Sequence, residues 1–491
     1  MRQALADKVS GNLVGLWLLI PEHLRLGTWN LLCNWSRQPT ERVEPRLALQ
    51  LVHESALCLT GLRQARSLRQ RGFELANGLP FVASDVAIHQ LLVDHSIEES
   101  KTLQIALGKN RLARGHFRSR VLLIDPHRIL SFSRRQMRRH KKGNNAPAKV
   151  AQTFFCLDAD TKQPIAFLTG TSARKVAHAT PELLELVAAI IGPCEEPSLV
   201  VADAEHFTAE LVDRLHQDTR FDLLVPVPQT DKLLRRLQAI SDERFTRRWA
   251  GFATARQPYT LTHSQSGPVT LFVQRLGERH QEYQYKGFLS TRDNDEVQAL
   301  TQEYPKRWHV EEFFDDEQAL GWNRAGTANL QIRYGHMTMS LLAQAAVYQL
   351  RQRMGEPEAS WDCRSIARRL LGGLEGDVRV EENTIVVTYL HFPRSSKCQN
   401  RGFSGTFQRR SVSNGSPEPS ETGILEEAPS FSPAFYGSTV SRSRKVQTYY
   451  NAPNVVGLRR AYEGLPAKLI AEGIDPHIPW LYNFKLDFRF H

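Results

Sequence analysis

The chain has 491 residues, enough for two or three domains with a substantial core, and 41% of them are hydrophobic, which places it among folding rather than disordered chains. Its 63 Lys and Arg against 52 Asp and Glu leave a net charge of +11, which suits a polyanionic partner, and six cysteines (Cys33, Cys58, Cys156, Cys194, Cys363, Cys398) with no CxxC pair argue against a disulfide framework or zinc ribbon. The apolar run Leu13–Ile20 is broken by Pro21 and Glu22 and is too short to span a bilayer, so the sequence predicts no signal peptide, no anchor and no membrane partner, and a soluble, basic, cytoplasmic protein.

Residues 1–115 read as a mainly helical domain. Leu47 to Leu68 carries apolar residues at helical spacing, with Arg63, Arg66 and Arg69 near its end, and Ser84 is placed to cap a helix through Ile88, Leu91 and Leu92 after the turn at Asn77-Gly78. Two helices around a turn suit either a grip on DNA or plain packing. From residue 119 the period changes. Val121–Ile124 predicts a buried strand ending at Asp125, and Val150–Leu157 and Pro164–Thr169 predict two more, joined by a turn at Asp158-Ala159-Asp160. Thr180-Pro181-Glu182 has the form of a helix start. Ser198–Ala202 is a fourth strand ending at Asp203, Ala209–His216 a helix, and Phe221–Val227 a fifth strand. That order predicts an α/β domain around one central sheet over residues 116–355.

Residues 230–295 break the rhythm. A basic helical piece, Lys232–Arg248, precedes three strand-like runs, Tyr259–His263, Val269–Leu276 and Glu282–Thr291, which together predict a β-rich insertion. A long helical stretch from Glu296 to Met354 is interrupted near Pro305 and around Gly321 to Asn329. In the C-terminal region, 356–491, residues 395–443 are rich in Ser, Gly and Pro and predict a disordered, low-complexity segment. Ile385–Tyr389 and Val446–Tyr449 on either side read as two ends of one interrupted strand, or as parts of two small modules.

Asp125 and Asp203 each close an apolar strand, where an α/β sheet presents its functional crevice. A third acid lies in Tyr304-Pro-Lys-Arg307-Trp-His-Val-Glu311. Pro305 suits a first helical turn, so Arg307 and Glu311 share one face, with Gln318 two turns beyond, and Val310, Phe313, Phe314 and Leu320 make the side that packs on the sheet. Glu312 points about 100° away from Glu311 on such a helix. An Arg307–Glu311 surface ion pair is the plain alternative reading of that spacing. Glu205, Glu312, Asp315 and Asp316 are the neighbouring acids that compete for a role.

With these residues in order, the sequence resembles the DDE transposases of bacterial insertion sequences, specifically the group with a Tyr-x2-Arg-x3-Glu-x6-Lys signature. Tyr304, Arg307 and Glu311 match it at its spacing, and the resemblance runs from about residue 119 to 350. It departs at the lysine, where this chain has Gln318; glutamine can donate a hydrogen bond to a phosphate but brings no charge. The resemblance implies an RNase H-like catalytic domain, with Asp125 on the first strand, Asp203 on the fourth and Glu311 on a late helix. It implies a triad holding two Mg²⁺ or Mn²⁺ ions, with Asp125 bridging them and Asp203 and Glu311 each completing one. Tyr304, Arg307 and Gln318 are then DNA contacts. The implied partners are DNA, as terminal inverted repeats and as target, and a second copy of the chain when paired ends are held. A junction resolvase with the same metal chemistry, or an inactive DNA-binding relic, are the competing readings.

Between Arg128 and Lys142 there are seven basic residues and no acid: Arg128, Arg134, Arg135, Arg138, Arg139, Lys141 and Lys142. Following the first catalytic strand, they are expected to contact phosphate. Arg235, Arg236, Arg244, Arg247 and Arg248, beside Trp249, form a second cluster. Trp249 and Trp308 are expected to be packed rather than stacked on a DNA base. His127 and His206, just past the two aspartates, read as loop histidines or as metal or supporting ligands.

Overall fold

The computed structural model of the protein describes residues 8–11, 13–36, 43–59, 71–133, 136, 139–140, 146–323, 327, 329–389 and 455–491. Arg63, Arg66, Arg69, Arg134, Arg135, Arg138, Lys141, Lys142, segment 395–443 and Val446–Tyr449 lie outside the described residues.

After a short strand, β1 (Val9–Gly11), the residues before 115 are helical where described: Leu19–Leu26, Thr28–Ser36, Glu44–Ala56, Arg71–Ala76, Asp85–Val93 and Ile97–Ala113. Local chemistry sets several starts. Ser84 accepts from the Ala87 N–H at 3.3 Å, and Ser96 and Glu99 satisfy each other's backbone N–H groups at 3.1 and 2.8 Å. These helices bury Leu49, Leu51, Val52 and Leu107, and pack on a long helix, Leu330–Met354.

The main sheet begins with β2 (Val121–Leu130), β3 (Arg139–His140), β4 (Ala148–Asp158), β5 (Pro164–Thr171), β6 (Ser198–Ala202) and β7 (Phe221–Pro226). It continues with β8 (Thr246–Trp249), β9 (Phe252–Tyr259), β10 (Val269–Leu276) and β11 (Gln284–Ser290). Strands β5, β4, β2, β6 and β7 lie side by side in that order. β6 runs parallel to both β2 and β7, while β4 is antiparallel to β2 and β5. The insertion extends this sheet, because β11 pairs antiparallel with β7, and β10, β9 and β8 follow outward to the edge. The central strand β6 is apolar after Ser198, as a strand covered on both faces must be, and all of Ser198–Ala202 is buried.

Four local expectations differ from the structure. β2 does not stop at Asp125 but continues to Leu130, taking Arg128 into the strand. Past Ile124 its only long partner is β4, so Pro126 sits on a free edge, where its missing N–H costs nothing. The helix expected to start at Thr180-Pro181 spans Val176–Ile191, with Pro181 inside it; buried Val176, Ala177 and Ala179 outweigh one lost backbone hydrogen bond. The run Tyr259–His263 is the end of a strand that begins at Phe252. The basic helix ends at Gln238, and Thr246–Trp249 is an exposed edge strand.

The signature segment is a chain of short helical turns: Ala299–Glu303, Tyr304–Arg307, the α-helix Trp308–Glu317, and Gln318–Leu320. It ends at Gly321, φ +103°, where a Cβ would collide with Ser340 Oγ. A second sheet has the order β1, β12 (Gly376–Glu381), β13 (Thr384–Tyr389), β14 (Lys485–Phe490), with β14 parallel to β13. The described residues form one compact unit, and no described helix is long and apolar enough to cross a membrane.

Candidate active site

Register brings the two aspartates together. Ile124 lies opposite Ala202 on parallel β2 and β6, so Asp125 and Asp203 emerge at the same level of neighbouring strands, about 5 Å apart in backbone. Burial, then the charge of Asp203, push the Asp125 carboxyl up to about 7. Asp203 behaves oppositely. Burial alone raises it, but the His206 hydrogen bond and charge, the Glu205 N–H and the charge of Arg307 outweigh that and leave it below the usual range.

The signature helix is held over these strands at several points. Val310 and Phe313 are buried, and Phe314 stacks on His127 with ring centres 4.1 Å apart and planes 17° apart. His309 Nδ1 meets the Ala159 carbonyl at 2.7 Å, Lys306 pairs with Asp160 at 2.8 Å and Lys162 with Glu312 at 2.5 Å. All three contacts use the β4–β5 turn. That turn is itself tied by buried Asp158, which accepts from Arg118 N and Ser119 N at 2.7 Å each and from Thr161 N at 2.8 Å. Tyr304 lies edge-on against Phe288 of β11, ring centres 4.7 Å apart.

Within this frame Arg307 donates to Glu311 Oε1 at 2.9 Å. Burial opposes its charge, and Asp125, Tyr304, Glu311 and Asp203 together raise its pKa regardless. Glu205, in contrast, is drawn to Arg128 by a two-point contact of 3.0 and 2.5 Å, and Glu312 to Lys162. The structure therefore brings Asp125, Asp203, Tyr304 and Glu311 each within electrostatic reach of Arg307. Gln318 follows the C-terminal end of the signature helix, partly buried, its carbonyl accepting from Asn323 N at 3.3 Å. Arg139 is exposed on β3.

The two histidines divide. His127 is a packed aromatic: burial and the charge of Arg333 hold its pKa down to about 4. His206 is fully buried and contacts Asp203 Oδ1 through Nδ1 at 2.8 Å. The tryptophans depart from expectation: Trp308 is 59% exposed and Trp249 49%, although the Trp249 ring stacks on Phe252 at 4.3 Å. The Arg128–Glu205 fork and the Lys162 and His309 anchors were not singled out from sequence, because each joins residues 77 to 150 positions apart.

A divalent cation fits the donors in kind. Among the described residues no three His, Cys, Asp or Glu side chains form a ready cation cage. Yet Asp125 and Asp203 are all-oxygen donors whose mutual repulsion a hard cation relieves, and Arg307, whose charge reaches both, holds Glu311.

Residues 116–345 match the family model described as Transposase DDE domain, a range that contains Asp125, Asp203 and Glu311. Over those residues the chain is similar to transposase DDE domains. No curated protein matches the chain. Among solved structures it is similar to a chain of the piggyBac transposase synaptic complex with hairpin DNA, seen by cryo-EM, at 11% identity and a TM-score of 0.39 over 74% of this chain and 82% of that one.

Proposed function

We propose that this chain is the transposase of a bacterial insertion sequence, cutting DNA at the element's terminal inverted repeats and joining the freed ends to target DNA. The observation that carries this reading is the meeting of Asp125 and Asp203 on adjacent parallel strands with Arg307 and Glu311 above them, inside the DDE domain. The strand order β5-β4-β2-β6-β7, with β4 alone reversed against β2 and β5, supports an RNase H-like catalytic domain over residues 116–355. Residues 230–295 are its β-rich insertion, 1–115 a helical N-terminal domain and 356–491 a C-terminal region.

Asp125, Asp203 and Glu311 would hold two Mg²⁺ or Mn²⁺ ions. Bound there, the cations supply positive charge to the attacking and leaving oxygens and make the attacking hydroxyl or water more acidic. The protein's own part is positional. β2 and β6 fix the two aspartates, the β4–β5 turn fixes the helix that carries Glu311, and Arg307 contributes a charge that can turn to a DNA phosphate. Tyr304, Arg307, Gln318 and the basic residues Arg134, Arg135, Arg138, Arg139, Lys141 and Lys142 are the DNA contacts in this reading, Arg128 being engaged by Glu205. A dimer on paired ends and a cytoplasmic site of action belong to the same proposal.

The test is Mg²⁺- or Mn²⁺-dependent nicking of DNA carrying the element's ends. Asp125→Asn, Asp203→Asn and Glu311→Gln are expected to lose on the order of a thousandfold in rate, about 4 kcal/mol, with DNA binding retained. Glu312→Gln is the control and is expected to stay within a few-fold of wild type. Cleavage without strand joining would move the assignment to a resolvase-like nuclease, and binding without cleavage to an inactive relic.

A further inference from the structure

One oxygen of Asp203 is used twice. Oδ1 accepts from the Glu205 N–H at 3.0 Å and from His206 Nδ1 at 2.8 Å. An ionised carboxylate can only accept, so the proton of the second contact resides on Nδ1. His206 is fully buried, and its Nε2 has no hydrogen-bond partner among the described residues. A phenylalanine would fill that space without an unsatisfied ring nitrogen, so packing alone does not account for an imidazole here. What the imidazole adds is the N–H on Asp203.

We propose that His206 is the positioning residue of Asp203: it fixes Oδ1 toward the protein and leaves Oδ2 as the oxygen that meets the divalent cation. The inference rests on the metal-dependent reading above. The same turn disposes of the competing acid, because Arg128 holds Glu205 with both guanidinium nitrogens, so residues 203–206 offer one carboxylate and not two. Without the Nδ1 donor, Asp203 is free to change rotamer and must be ordered each time an ion binds; supporting contacts of this kind are worth roughly tenfold to a hundredfold in metal affinity.

The experiment is Mn²⁺ titration of the full chain, read by the electron paramagnetic resonance of free Mn²⁺, for wild type, Asp203→Asn, His206→Phe and His206→Asn. His206→Phe keeps the ring volume and removes the donor; His206→Asn places an amide N–H where Nδ1 was. The expected result is an Mn²⁺ affinity weaker by about tenfold or more in His206→Phe and close to wild type in His206→Asn. Nicking should show the same shift in the Mn²⁺ concentration for half-maximal rate, with the rate at saturating Mn²⁺ little changed. Wild-type affinity in a folded His206→Phe, or no recovery in a folded His206→Asn, overturns the proposal. If His206→Phe does not fold, ¹⁵N-histidine spectra of the wild type decide, the His206 signal being the one lost in His206→Asn: an Nδ1-protonated ring is required, and an Nε2-protonated ring overturns it. Wild-type protein whose Mn²⁺ binding equals that of Asp203→Asn brings down the metal reading itself, a result distinct from failure of the His206 role alone.

Discussion

Arg307 and Glu311, one helical turn apart, are joined at 2.9 Å, and the same guanidinium lies within the electrostatic reach of Asp125 and Asp203. Its positive charge thus acts on all three carboxylates. A divalent cation entering there competes with it. Arg307→Gln is expected to bind Mn²⁺ more tightly, by up to about tenfold, while DNA affinity falls by about as much and its salt dependence drops by about one phosphate contact. Mn²⁺ titration and fluorescence anisotropy over a salt series measure the two effects. Weaker Mn²⁺ binding in Arg307→Gln would show that Arg307 positions Glu311 and does not compete with the ion.

Gln318 opens the short turn that follows the signature helix. A cation at that end is favoured by the helix dipole and by exposed Asp315 and Asp316. Gln318→Lys is expected to raise DNA affinity about threefold to tenfold at low salt, a gain that shrinks as salt screens it. An unchanged affinity at every salt concentration would show that DNA does not pass this residue.

Much of the main sheet was legible because several of its strands are short, mostly apolar runs: Ser198–Ala202 and Phe221–Val227 needed no tertiary information. The insertion was legible only in part. Arg256 and Pro258 interrupt the pattern of Phe252–Tyr259, and Thr246-Arg-Arg-Trp249, exposed on an edge, carries no buried face to mark it as a strand. At the site, Asp125 and Asp203 could be singled out where apolar runs end, and Glu311 by its spacing from Tyr304 and Arg307. That Glu205 and Glu312 are drawn away was not readable, since Arg128 and Lys162 reach them only through the folded chain.

A buried ionic cluster joins distant parts of the chain. Glu22, fully buried, accepts from Arg25 at 2.8 Å, Tyr462 at 2.8 Å and Arg353 at 3.2 Å, and Arg25 also pairs with Glu472 at 2.7 Å. Glu22→Ala leaves buried Arg25 without its one fully buried acid and is expected to cost about 3–5 kcal/mol. Urea unfolding checks this; a loss below about 1 kcal/mol would mean that Glu472 alone compensates Arg25.

The N-terminal helices also carry a buried histidine pair. His23 Nε2 and His53 Nε2 are 3.1 Å apart, His53 Nδ1 meets Asn77 Oδ1 at 2.7 Å and His23 Nδ1 meets Thr28 Oγ1 at 3.1 Å. Burial lowers His53 to about 4 and His23 well below the ordinary histidine value. Unfolded histidines titrate near 6.5, so between about 6.5 and 4 the unfolded chain binds protons the folded one refuses. Stability is therefore full above about pH 6.5 and falls on acidification, by up to about 1.4 kcal/mol per pH unit for each histidine. Urea midpoints across this range should fall less steeply in the His23→Gln, His53→Gln double variant; an unaltered slope would assign the loss to other groups.

The parallel pairing of β13 with β14 has a consequence for synthesis. A ribosome that has passed Tyr389 has already made Asp125, Asp203 and Glu311, yet the second sheet still lacks β14, Trp29 lacks the neighbouring ring of Trp480, and Arg25 lacks Glu472. These three carboxylates are thus translated long before the chain that supplies β14, Trp480 and Glu472. The order of elements along the chain makes completion of the second sheet and of the Arg25 ion pair wait for the last residues.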